Sequence, residues 1–152
     1  MREILFRGKR VDNGEWVCGY YVLRKRPYFK DKGANFEHII CDNLVIDDFN
    51  DKHFVDTIPI TYSVDPETVG QYTGLTDKNG RKIFEGDICK FKRFNDVHIG
   101  KVVFNVTTAS FIMWYQPIVG AYGEKATQKM LLSVCDNIEV VGNIHDNPEL
   151  ME

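Results

Sequence analysis

The sequence predicts a mostly β protein, β-rich α+β at most, with an N-terminal hairpin region packed on a small C-terminal SH3-like β-barrel. Three observations carry that expectation. Short apolar runs recur about every ten residues, Asn, Asp and Gly clusters punctuate them, and only two places carry helix-forming chemistry. The hairpin region is expected over 1–65 and the barrel region, with a C-terminal tail, over 66–152, unless the two form one compact unit. Cadence of this kind speaks to architecture and leaves the ligand open.

The elements follow in chain order. "EILFRGKRVDNGEWVCGYYVLR" reads as a hairpin, with runs over 3–7 and 16–23 around Asp12-Asn13-Gly14. Asn-Gly supplies the positive φ values that a tight hairpin turn needs. "RKRPYFKDKGAN" is a polar loop, "FEHIICDNLVI" an apolar segment and "DDFNDK" an acidic connector. "FVDTIPITYSV" is extended, and Pro59, which lacks a donor, places it at an edge or bulge. In "VDPETVGQY", Asp65 suits an N-cap, Pro66 the first helical position and Glu67 the first turn. Gly70 follows so soon that about one turn, of 3₁₀ type, is expected. "GQYTGLTD", the Lys78-Asn79-Gly80 turn and "RKIFEGDICKFKRF" open the barrel region. Gly86-Asp87 would enter a curved strand, and Gly100 would permit a bend. "HIGKVVFNV", "ASFIMWYQP", "KMLLSV" and "IEVVGNI" supply further strands, although "EKATQKMLLSV" also suits a short helix. The tail "DNPELME" is expected to fray.

A chain of 152 residues, 43% hydrophobic and 27% charged, has enough apolar matter for a core without metals or staples. Nineteen basic against 22 acidic side chains give a net charge of −3, which disfavours a general nucleic-acid coat but permits local basic patches. Cys18, Cys41, Cys89 and Cys135 form no C-x-x-C pair, and the first three sit in apolar runs. They read as reduced, buried thiols, which makes a cytoplasmic compartment the default. The start develops no apolar core of signal-peptide length, and the apolar runs are too short to span a bilayer, so no membrane partner is expected.

The central run "DPETVGQYTGLTDKNGRKIFEGDI", the start "REILFRGKRVDNGEWVCGY" and the ending "IEVVGNIHDNPEL" together resemble the YopX family of phage and prophage proteins. The resemblance extends from Arg2 to Leu150, and only the segment 24–58 matches no motif. It implies a largely β fold and a bacterial cytoplasm during phage carriage. It carries no catalytic or binding residue to any position of this chain.

The glycines of the central run fit neither G-x-G-x-x-G nor G-x-x-x-x-G-K-[ST], and they sit among strands. His38, His53, His98 and His145 lie in no nucleophile signature; His38 reads as half-buried, His98 and His145 as solvated. Asp42, Asp47, Asp48 and Asp51 lack the alternation, Gly and Glu of a calcium loop. Glu85 and Asp87 flank Gly86 on one face, but Lys82, Lys90 and Lys92 offer them ordinary charge pairing. The expectation is a protein without catalytic residues, metal, cofactor or small-molecule substrate.

Two binding readings remain. Nucleic acid would use Arg24, Lys25 and Arg26 with Tyr28 and Phe29, and Lys90, Lys92 and Arg93 of "KFKRF", because cations neutralise phosphates and aromatic faces stack bases. Against it, 71–152 hold nine basic and ten acidic residues, and lysines alternating with apolar residues are the ordinary outer face of a strand. Protein association, with itself or with a host or phage partner, would use Phe111, Met113, Trp114 and Tyr115, large side chains at neighbouring positions of one run. The sequence thus points to a phage or prophage accessory protein acting by binding, with protein association first and nucleic acid as the alternative.

Overall fold

The computed structural model describes residues 3–25, 36–42, 60–93, 96–115 and 128–151. Among these the protein is mostly β, in two antiparallel sheets, and its helical content is three 3₁₀ turns of at most four residues. The chain divides into two compact units, Ile4–Gln71 and Tyr72–Glu152 with Met1–Glu3. The boundary expected at residue 65 falls on the cap of a 3₁₀ turn, six residues earlier.

In the first unit, β1 (Phe6–Lys9), β2 (Trp16–Lys25), β3 (Phe36–Asp42) and β4 (Ile60–Ser63) lie in the order β4-β3-β2-β1. The Asp12–Gly14 turn joins β1 to β2, with Gly14 at φ 73° and Arg10 bonded to Asp12. Asp65 caps the turn Pro66–Thr68 by accepting the Glu67 N–H at 3.0 Å, as its residue type foretold. Thr68 Oγ1 then accepts the Lys9 N–H at 2.8 Å, pinning this turn to β1. β5 (Gly70–Thr76) begins by pairing Gly70 and Gln71 with Arg7 and Phe6.

In the second unit, the remainder of β5 forms a hairpin with β6 (Lys82–Phe84). β7 (Asp87–Arg93), β8 (Asp96–Asn105), β9 (Ser110–Tyr115), β10 (Gln128–Leu131) and β11 (Asp136–Asn143) make a five-stranded sheet in the order β10-β9-β8-β7-β11. Alternate residues of each strand face the core, where Ile83, Cys89, Phe91, Val102, Met113, Tyr115, Leu132, Ile138 and Val140 pack together. The Phe91 and Tyr115 rings meet edge to face at 5.1 Å, a favoured aromatic geometry.

The sheet is open, contrary to the SH3-like closure expected. Among the described residues β10 pairs with β9 and β11 with β7, and the two do not pair with each other. The outer edge of β11 has another occupant: the Lys78 N–H donates to the Ile138 carbonyl at 2.8 Å and the Val140 N–H to Asp77 Oδ2 at 3.1 Å. A capped edge neither aggregates nor closes. The helix alternative for "EKATQKMLLSV" yields to pairing with β9, leaving only the 3₁₀ turn Leu132–Val134; residues 124–127 lie outside the described residues. Gly100 permits close packing instead of a bend, since a Cβ there would lie 2.8 Å from Tyr115 Cβ.

Asp77 is the keystone of the Thr76–Arg81 turn. It is 6% exposed, and its Oδ1 accepts the N–H groups of Asn79 (2.8 Å) and Arg81 (2.9 Å) while Oδ2 takes that of Val140. Burial alone would raise its pKa; the three N–H donors and the Arg81 charge outweigh burial and hold the carboxyl below its usual range. Gly80 closes the same turn at φ 82°.

Three outcomes follow for stability. Asp77→Ala strands three donors and should cost about 2–4 kcal/mol, read from the urea midpoint of the pure protein. Because the folded-state pKa is depressed, the Asp77 contribution is complete above the unfolded value and fades as pH falls through the folded one. Wild-type stability should therefore drop below about pH 4 more steeply than that of Asp77→Asn. Gly100→Ala should destabilise by about 1–3 kcal/mol through overpacking, with the same midpoint as the readout.

Candidate functional site

The period of two that sends Phe91 and Tyr115 inward sends their neighbours outward. On the face opposite the core the ladder forms cross-strand rows: Asp136, Lys92 and Val97; then Glu139, Lys90 and Ile99; then Lys101, Trp114 and Lys129, with Ile88 beside Lys101 fully buried. Lys90, Lys92 and Lys129 are exposed, and Lys101 lies with its ammonium 4.6 Å from the centroid of the half-buried Trp114 ring. Rows on one face stand about 7 Å apart and strands about 5 Å apart, so the four lysines step diagonally over roughly 25 Å. Val97 and Ile99, about two-fifths exposed, lie between them.

One end of this face is concave. A depression of about 360 Å³ is lined by Lys78, Lys90, Lys92, Val97, Asn137 and Glu139, with Phe91 at its floor. Lys78 Nζ lies 2.7 Å from Glu139 Oε2. The register of β11 on β7 shifts between Asp136 and Glu139, and Asn137 takes φ 49°. Such an irregularity re-aims side chains, here towards the depression.

The structure sorts the sequence candidates. Lys90 and Lys92 share the outer face, but Arg93 turns to the other and donates to the Tyr115 hydroxyl and to Gln128 Oε1. Its guanidinium is thus committed to the end of the core. Arg24 pairs with Glu37 at 2.7 Å, and Lys25 ends β2 exposed; Arg26, Tyr28 and Phe29 lie outside the described residues. Of the proposed protein interface, Met113 and Tyr115 are buried in the core and give a partner no surface. Phe111 is half-buried against Phe104, and only Trp114 reaches the outer face. Lys78, Lys101 and Lys129 are not among the sequence candidates. Their signal lay in the pairing register, which joins strands far apart in sequence.

Other titratable groups serve the fold. Glu85 accepts the Phe104 N–H and Asp87, fully buried, accepts that of Phe84, so both carboxylates hold backbone. His38 shares a 2.5 Å hydrogen bond with the Tyr21 hydroxyl. His98 is not solvated as expected, because its ring packs on Phe91 and Tyr115. Among the described residues the four cysteines form no disulfide, and Cys18 is exposed where a buried thiol was expected. Burial pushes the Cys135 thiol up to about 11, which leaves little thiolate at neutral pH. His53, Asp47, Asp48 and Asp51 lie outside the described residues. No helix among the described residues is long and apolar enough to cross a membrane.

The open sheet, the Asp77-capped turn and the Gly86-Asp87 entry to β7 give structure to the central run on which the family resemblance rested. No curated protein matches the chain. A family model described as YopX protein matches residues 6–152, nearly the whole sequence, and the chain belongs to the YopX family.

Proposed function

We propose that this chain is a non-catalytic accessory protein of a phage or prophage, acting in the bacterial cytoplasm, and that the outer face of the β7–β11 sheet binds single-stranded nucleic acid. The observation that carries this reading is the coincidence of four lysines and one tryptophan on a single sheet face. Lysines supply charge to phosphates, and an aromatic face stacks bases without regard to sequence. The Lys101–Trp114 contact does not block stacking. A cation–π pair is worth about 0.5–1 kcal/mol at an exposed site and about 2 kcal/mol when desolvated, no more than the roughly 1–3 kcal/mol of a stacked base.

Protein association is the second reading, favoured by the exposure of Val97, Ile99 and Leu131 beside Trp114. If this face joins two copies, Trp114→Asp converts a dimer to a monomer in light scattering while the fold is retained. An unchanged mass would reject that interface.

The test of the first reading is fluorescence anisotropy with labelled single-stranded oligonucleotides across a salt series. Affinity should fall with salt at a slope near 0.7 per phosphate contact. The triple change Lys90→Glu, Lys92→Glu and Lys101→Glu should flatten that slope and remove most binding, and Trp114→Ala should weaken binding about tenfold or more. No binding by the wild-type protein at low salt would overturn the reading.

A further inference from the structure

We propose that the depression between β11, β7 and the Thr76–Arg81 turn is a phosphate subsite, in which Lys78, Lys90 and Lys92 hold one phosphate group of a polynucleotide and Glu139 restrains the site. This rests on the nucleic-acid reading of the sheet face and adds to it a place and a control.

Lys90 and Lys92 come from alternate positions of β7, while Lys78 arrives from the turn that caps β11. Two separate elements therefore direct ammonium groups into one concavity of about 360 Å³. The bulged start of β11 adds the Asn137 amide, a neutral hydrogen-bond donor. Three ammonium groups and one carboxylate leave two positive charges, the complement of a phosphate monoester near neutral pH. Lysine suits this task as a point charge that needs no fixed fork.

Glu139 is the unusual member. Its carboxylate sits in register with Lys90 and bonds Lys78 at 2.7 Å, in competition with any anion. The Lys78 and Glu139 side chains are 45% and 34% exposed, and ion pairs in such settings contribute little. Lys78 can leave Glu139 for a phosphate at small cost. The carboxylate thus lowers affinity without closing the site.

Oligothymidylates of equal length, with a 5′-phosphate or a 5′-hydroxyl, separate the two sources of the phosphate. Affinities would be measured by anisotropy on wild-type protein, Lys78→Ala, Glu139→Gln and Trp114→Ala, with urea midpoints confirming the folds. Glu139→Gln should tighten binding about two- to fivefold and Lys78→Ala should weaken it about three- to tenfold. A terminal phosphate is the ligand if the 5′-phosphate strengthens binding and Lys78→Ala erases that gain. An internal phosphodiester is the ligand if both oligonucleotides respond equally to the two changes. Unchanged affinities in Lys78→Ala and Glu139→Gln, with Trp114→Ala still weakened, would overturn the subsite and leave the sheet-face reading intact. Absence of binding to either oligonucleotide would overturn both.

Discussion

The packing of Phe91, Val102, Met113 and Tyr115 into one layer is the constraint on which the C-terminal sheet depends. These four come from three adjacent strands and have at most 1% of their surface exposed. Side chains on a strand alternate with a period of two, so seating this layer fixes the facing of every other residue in β7, β8 and β9. A slip of one residue would bury Lys90, Lys92 and Lys101 and expose the aromatic layer. Desolvating three ammonium groups costs far more than any surface contact returns, so the register has no near competitor. The outer lysine face is therefore a consequence of the core and not an independent feature.

The same constraint explains why Asp77 is buried. β11 completes the layer with Ile138 and Val140, which places its free edge against the Thr76–Arg81 turn. Backbone donors on that edge need acceptors once water is excluded. Asp77 supplies one to Val140 while closing its own turn on Asn79 and Arg81. The Asp-Lys-Asn-Gly sequence thus performs two tasks, ending β5 and shielding β11. Turn chemistry and edge protection coincide in one carboxylate.

Much of this was legible in the sequence, and the limits of legibility have physical causes. Asp65-Pro66-Glu67 declared its 3₁₀ turn because capping is local, depending on residues three positions apart. Asn13-Gly14 and Asn79-Gly80 declared their turns for the same reason. Barrel closure is non-local: no short motif says whether the last strand returns to the first, and the capped edge of β11 became visible only with the ladder. "FIMWY" misled because five large residues in succession suggest a surface to be covered. In the sheet Met113 and Tyr115 fill the core, Phe111 packs against it, Ile112 is buried and Trp114 alone is half-buried on the opposite face. Arg93 misled in the same way, since adjacency in "KFKRF" means opposite faces on a strand.

A chain with net charge −3 can present a cationic face because the charge that an anion meets is local. At physiological ionic strength the Debye length is about 8 Å, so Lys90 senses Lys92, Lys101 and, on β11, Glu139 and Asp136, but little of acidic residues farther away. The nearly even count of basic and acidic residues over 71–152 therefore argues less against an anionic ligand than it did as a sum. Folding separates that sum, gathering Lys90, Lys92, Lys101 and Lys129 on one face while Asp77 and Asp87 are spent on backbone donors. A carboxylate that accepts backbone hydrogen bonds inside the protein no longer repels a polyanion at its surface as an exposed one would. The acidic residues that count are those that remain beside the lysines, Glu139 first among them.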